Sequence, residues 1–212
     1  MKRIVILISG SGTNMQAIVE ACQAGRVAGE VVAVISNKDG VAGLDKAAAA
    51  GIPIAVLSHR DYPTREAYDA DLQQLIDGYQ PDLVVLAGFM RILTPAITRH
   101  YHGRMLNIHP SLFTKYKGGT THQRALDAGD EEHGVSVHFV AEEFDGGPVV
   151  LQAKVPVFAG DTAADLQQRV HTQEHAIYPL VVNWFCTGRL RLTDQGAELD
   201  GELLGPAGYA AD

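Results

Sequence analysis

Cysteine is scarce: Cys22 and Cys186 are the two in 212 residues, each isolated in an apolar stretch. So sparse a pair builds neither a disulfide framework nor a cysteine metal site, and buried thiols in a reducing compartment fit it better. Long hydrophobic runs are missing as well. The apolar run over residues 4–8, behind Lys2 and Arg3, stops at Ser9-Gly10, too short for a signal peptide or a membrane span. A cytoplasmic location is the expectation. Nor is there any basic excess: Lys and Arg total 17 against 25 Asp and Glu, a net charge of −8. Scattered acids give no electrostatic footprint for nucleic acid and serve solubility. No repeat, linker or low-complexity segment breaks the chain, and its length suits one domain over 1–212.

What is present alternates. Residues 4–8, 31–35, 54–57 and 82–87 read as strands, the first a continuous β-branched and leucine run of the kind covered on both faces. Helices fall between them, including one over 64–79 that starts at Thr64 and has Tyr68, Leu72, Leu75 and Ile76 on one face. The predicted fold is α/β: a Rossmann-like, doubly wound, mostly parallel sheet with right-handed crossovers. Its C-terminal portion is antiparallel, with 133–140 and 149–155 as a pair, then a helix from Asp161 to about Phe185 burying Leu166, Val170, Ile177, Leu180 and Val181. Pro179 predicts a kink in that helix. A short strand over 190–192 leads into a surface tail over 193–212.

Ligands in such folds gather at the carboxyl ends of strands. Residues 9–14, 90–93 and 107–111 all fall there, which predicts one shared site. The first is the glycine loop Ser9-Gly10-Ser11-Gly12-Thr13-Asn14, running into a helix. Backbone amides and the helix N-terminus suit an anion there. The dinucleotide fingerprint fails at Met15, and the Walker pattern lacks its lysine, so a single phosphate group fits better. A tight turn with an Asn14 cap is the plainer alternative.

Asn107 and His109, two apart at a strand end, point to one side of an extended segment. An amide donor beside an imidazole suits the oxyanion and proton transfer of a reacting carbonyl. Asp145, in a glycine-rich turn, is placed to approach that imidazole and favour its charged form. Spacing alone also allows the two side chains to do no more than satisfy turn backbone before Pro110. Ser136 and His138 share one strand face, either as support for Asp145 or His109 or as a solvated face. The pairs His100/His102 and His171/His175 match no zinc motif, and no metal is expected.

Four stretches then carry a resemblance. They are Leu86-Ala87-Gly88-Phe89-Met90-Arg91-Ile92-Leu93, Leu106-Asn107-Ile108-His109-Pro110-Ser111-Leu112, Asp145-Gly146-Gly147-Pro148, and Thr172-Gln173-Glu174-His175-Ala176-Ile177-Tyr178-Pro179. Through them, and along nearly the full chain, the sequence resembles the glycinamide ribonucleotide transformylases, folate-dependent enzymes of purine synthesis. The second and third stretches recur across formyltetrahydrofolate-using enzymes.

The resemblance implies the formyltransferase fold, with a phosphate-binding half over about 1–100 and a folate and catalytic half over about 101–192. It implies formyl transfer from 10-formyltetrahydrofolate to the amine of 5′-phosphoribosylglycinamide, both small molecules, with folate as co-substrate and no tightly bound cofactor. Carried over by position, Asn107, His109 and Asp145 are the catalytic trio. Gly12, Thr13 and Asn14 would hold the substrate phosphate, and Glu174 the ribose hydroxyls. Arg65, Met90, Arg91, Ile92 and Leu93 would line the folate side, with the loop of Ala141, Glu142, Glu143 and Phe144 over the pterin. A homodimer is an expectation of the family alone, and no surface stripe in the sequence proves it.

Two positions depart from the family pattern. After Leu112, where members commonly read Leu-Pro-Lys-Tyr-Pro-Gly-Leu-His, residues 113–120 lose two prolines and gain a glycine, so a more flexible loop is expected. His171 stands where a glutamine is frequent; if charged, it would make phosphate affinity depend on pH. The rival readings are a formyltetrahydrofolate hydrolase, a methionyl-tRNA formyltransferase, and a non-catalytic nucleotide-binding module. The glycine loop and the lack of a further domain for tRNA speak against the first two, and the last leaves the trio as coincidence.

Overall fold

The computed structural model describes residues 1–112 and 115–210. They fall into two compact units, Met1–Asn107 and Ile108–Asp212. The first begins with β1 (Lys2–Ile8), α1 (Thr13–Gln23), β2 (Gly29–Ser36), α2 (Ala42–Ala49) and β3 (Ile54–Val56). A 3-10 turn (His59–Asp61), α3 (Arg65–Gly78), β4 (Leu83–Leu86), α4 (Pro95–His100) and β5 (Met105–His109) follow, β5 running two residues into the second unit. Its strands lie in the order β3-β2-β1-β4-β5, each pair parallel.

The central strands explain the order. Every residue from Ile4 to Ile8 is fully buried, as are Leu83, Val84 and Val85. Side chains alternate faces along a strand, so burial of consecutive residues means both faces are covered. Each such aliphatic side chain contributes about 1.5–3 kcal/mol relative to exposure. The β3 edge, by contrast, leaves Ile54 and Val56 exposed. Thr64 caps α3, its side chain accepting from the Ala67 amide, and the buried face carries Tyr68, Leu72 and Ile76 as the periodicity predicts.

The second unit contains α5 (Thr121–Asp127), β6 (Glu132–Phe139), β7 (Val149–Pro156), α6 (Ala163–Cys186), β8 (Leu190–Thr193), β9 (Gly196–Leu199) and β10 (Glu202–Leu203). β6 and β7 pair antiparallel, as the alternation predicts, with a register shift between Val137 and His138. A capping box starts α6: Thr162 accepts from the Asp165 amide and the Asp165 carboxylate accepts from the Thr162 amide. The helix therefore begins just past Asp161, whose carboxylate instead holds Arg169 and the Phe158 amide. It continues through Pro179.

Two expectations need correction here. Leu180 is 45% exposed, because the buried stripe turns toward Tyr178, Val181 and Val182 and leaves position 180 just off its edge. The stretch after Thr193 is not a plain surface tail. β8, β9 and β10 form an antiparallel sheet that buries Ala197 and Leu199, and Arg189 forks onto Asp200 at 2.8 and 2.9 Å. Past it, the Tyr209 amide donates to Val150 O at 2.8 Å, and the Tyr209 ring packs edge-on against Trp184. Residues 211–212 lie outside the described residues.

Candidate active site

The glycine loop is built on buried polar contacts at the end of β1. Ser9 Oγ donates to Asn37 Oδ1 at 2.5 Å and accepts the Met90 amide at 2.7 Å. One hydroxyl thus ties together the ends of β1 and β2 and the loop after β4. Gly12 is the N-cap of α1, in the left-handed region at φ 69°, with no side-chain cap. That overturns the Asn14-cap alternative: Asn14 Oδ1 is buried without a hydrogen-bond partner. A Cβ on Gly12 would come within 2.8 Å of Gly43 Cα, so the loop lies backbone against backbone on the first turn of α2.

The loop after β4 exposes apolar surface between two guanidinium groups. Met90 is 72% exposed and Ile92 47%. Arg65 donates to Ile92 O at 3.4 Å, and the Arg91 guanidinium lies 4.1 Å above the Tyr68 ring with Nε unpartnered. An exposed apolar strip flanked by cations suits a flat ligand that carries carboxylates. The loop's far end is anchored by buried Asp69, which accepts the Thr94 amide at 2.7 Å.

β5 carries the next pair. Asn107 and His109 sit on the strand itself, half-buried on one side while Leu106 and Ile108 are buried. Asn107 is in register with Leu86 at the end of β4. In the second unit, His109 Nδ1 is 3.6 Å from Asp145 Oδ2, with the two side chains only 13% and 8% exposed. His109 Nε2 meets the Tyr116 carbonyl at 2.5 Å. A carbonyl only accepts, so Nε2 carries the proton. The Gly118 amide donates to Asp145 Oδ2 at 3.0 Å. Asp145 holds this place from a left-handed backbone at φ 51°. Nearby, a Cβ on Gly147 would collide with Phe139 O, which demands glycine there.

Ser136 and His138 are both buried, which rules out the solvated-face alternative. Ser136 Oγ donates to Ser111 O at 2.7 Å, and Thr121 Oγ1 donates to Pro110 O at 2.5 Å. Together they hold the turn that follows His109. His138 Nδ1 bonds Phe139 O at 2.8 Å, and burial holds its pKa below the ordinary value, with Asp145 opposing.

The Phe113 and Thr114 part of the loop expected to be flexible lies outside the described residues. Its described remainder is hydrogen-bonded: Lys117 pairs with Glu143 at 2.6 Å, and Arg124 donates to the carbonyls of Lys117 and Gly119. Glu142, Glu143 and Phe144 are exposed and Ala141 half-buried, and the Lys117 contact draws Glu143 toward residues 115–120.

On α6, Glu174 is 4% exposed, with His171 Nε2 3.5 Å from Oε2 and the His171 and His175 rings stacked at 6.1 Å. Burial lowers the His171 pKa below 6.5. That shift works against the charged His171 on which a pH-dependent phosphate affinity would rest.

Tyr116 and Gly118 escape a sequence reading altogether, since their part is played by backbone groups that leave no motif. Among the described residues, no cluster of three or more His, Cys, Asp and Glu is arranged to hold a metal ion. No helix among them is long and apolar enough to cross a membrane.

The first unit carries loops at the carboxyl ends of its parallel strands, and the second carries a buried Asp–His pair, each of a kind found in α/β enzymes. The chain matches the family model described as formyl transferase over residues 2–182, and it belongs to that family. It is 60% identical over 209 residues to the phosphoribosylglycinamide formyltransferase of Escherichia coli, covering 99% of each chain. It is 50% identical to the enzyme of that name from Haemophilus influenzae, again over 99% of each. The solved phosphoribosylglycinamide formyltransferase of Coxiella burnetii superposes with a TM-score of 0.94 at 50% identity, covering 98% of each chain.

Proposed function

We propose that this formyltransferase moves the formyl group of 10-formyltetrahydrofolate onto the amine of 5′-phosphoribosylglycinamide, in the cytoplasm, as a step of purine biosynthesis. The uncharged amine attacks the formyl carbon, and the carbonyl π pair moves onto oxygen. Asn107 and His109 Nε2 supply the donors for that oxygen. Collapse of the tetrahedral species restores the C=O bond and breaks the bond to the folate nitrogen. That nitrogen leaves with the proton lost by the attacking amine, carried through water by His109 and Asp145. No bound cofactor enters; folate is consumed as a co-substrate.

The observation that carries this reading is the setting of His109. Asp145 faces Nδ1, and Nε2 donates to the Tyr116 carbonyl, so the ring turns its donor away from the carboxylate, as the proposed stabilisation of a formyl oxygen requires. The glycine loop would take the substrate phosphate and Glu174 the ribose. The apolar strip between Arg65 and Arg91, with Phe144 and its neighbours, would take the folate.

The test is formyl transfer between these two substrates by the native protein, His109→Ala and Asp145→Asn. Turnover that collapses in both variants is expected. Release of free formate without transfer would instead establish a hydrolase, and binding of the ribonucleotide without any turnover would leave a binding module.

A further inference from the structure

The glycine loop lacks a lysine of its own, yet one reaches it from α2. Lys46 Nζ donates to Ser11 O at 2.7 Å, from thirty-five residues away in the chain. One turn earlier on the same helix, the Gly43 amide donates to Gly10 O at 3.0 Å. Two successive loop carbonyls are therefore turned toward α2.

That fixes the amides as well. A trans peptide sends its C=O and the following N–H to opposite sides, and the chain has no cis peptide. With the carbonyls of Gly10 and Ser11 drawn to α2, the N–H groups of Ser11 and Gly12 point away from it. The Gly12 carbonyl is taken by the Gln16 amide at 2.8 Å, the first bond of α1, which leaves the Thr13 and Asn14 amides as orphan donors of the helix start. Among the described residues, no acceptor takes the N–H of Ser11, Gly12, Thr13 or Asn14. Nor does any carboxylate there pair with the Lys46 ammonium, although the chain carries a net charge of −8.

We propose that Lys46 is the positioning residue of the phosphate loop. It locks the Ser11–Gly12 peptide so that the Gly12 N–H faces the phosphate, and it sets a positive charge on the carbonyl side of that peptide, in line with its dipole. The loop sequence supplies the amides, and α2 supplies both the clamp and the charge that a Walker-type loop carries itself. This rests on the reading that the loop takes the substrate phosphate.

The test uses the full chain and compares binding of 5′-phosphoribosylglycinamide with that of its 5′-dephosphorylated form, alongside steady-state kinetics. For Lys46→Met the phosphorylated ligand should bind about tenfold more weakly, the weight of one charge-assisted hydrogen bond. The dephosphorylated form should bind as before, kcat should stay within about twofold, and the salt dependence of binding should become shallower. Lys46→Arg should restore most of the loss. Lys46→Gln, which keeps a donor without the charge, should fall between. Equal weakening of both ligands, or no weakening of either, would overturn the role of Lys46. A native protein that fails to prefer the phosphorylated ligand would instead remove the loop's assignment, and this inference with it.

Discussion

In the first unit, Lys46, Arg65 and Arg91 stand beside candidate ligand loops, and none has a carboxylate within ion-pair distance among the described residues. They bond carbonyls at Ser11 and Ile92 and the face of Tyr68. In the second unit, Lys115, Lys117, Arg169 and Arg189 each hold one: Asp130, Glu143, Asp161 and Asp200, at 2.6 to 3.0 Å. Acids outnumber bases 25 to 17, so pairing is easily had. On the function proposed above, cations that go without it would be available to anions from solution, whereas paired cations fasten segments of the fold. The contrast would then put binding with one set and stability with the other.

The largest effect expected belongs to neither set. His109→Ala should lower kcat/KM about 10³-fold, since on the proposed mechanism it removes an oxyanion donor and a proton carrier together. The melting temperature should hardly move, because among the described residues the hydrogen-bond and ion-pair partners of the ring are Tyr116 and Asp145 alone. A loss near tenfold would mean that the Asn107 side carries most of the oxyanion stabilisation.

Next comes the contrast itself. Arg91→Met keeps an apolar stem over Tyr68 and removes the free charge, so KM for the folate should rise about tenfold with little change in kcat. Arg189→Met should do the reverse. It frees Asp200 from β8 and β9, lowering the melting temperature and leaving both KM values alone. Were Arg189 to shift KM, or Arg91 only the melting temperature, the division between spared and paired cations would fail.

Buried histidines give the second unit a pH response that β1, with no histidine, lacks. His122 Nδ1 lies 3.0 Å from His133 Nε2, and burial, with His133 adding to it, pushes the His122 pKa down to about 4. Burial also lowers His133 and His138. A folded-state value below the unfolded 6.5 means the unfolded chain binds protons first, so this contribution is complete above about pH 6.5. It is lost as pH falls through about 4. Hydrogen exchange should show α5 and β6 losing protection across that window ahead of β1. His122→Gln should flatten the response, and an unchanged profile in that variant would remove the pair from the explanation.

These contacts mark where a sequence stops being readable. The run from Ile4 to Ile8, the Thr64 cap and the alternation of Val135, Val137 and Phe139 announce their elements because each signal is local, and the structure follows them. The Asn-x-His spacing is local too, and burial of Leu106 and Ile108 between those side chains agrees with it. Gly118 on Asp145 and Lys46 on Ser11 are meetings of distant segments, for which no residue pattern exists, and Tyr116 reaches His109 through its backbone carbonyl, which no side-chain pattern marks. The strands after Thr193 are a different kind of miss. Asp200-Gly201 is a hairpin turn pair, and Ala197 and Leu199 alternate around it, but strands so short offer too few repeats to stand out.

The smallest change expected lies at the start of α6. Thr162 and Asp165 exchange side-chain and backbone bonds at 3.0 and 3.2 Å, satisfying two amides that the helix leaves orphaned. Thr162→Ala should cost about 1 kcal/mol, the usual weight of an N-cap. For a chain of this size that is a fall of about 2–4 °C in melting temperature. Glu174 is presented from the same helix three turns further on, within a face that buries Val170, Ile177 and Val181. If packing of that face fixes Glu174, KM for the ribonucleotide stays constant as the first turn frays. If the cap fixes it, KM rises along with the lost stability, and the polar contacts of the second unit would then share in binding after all.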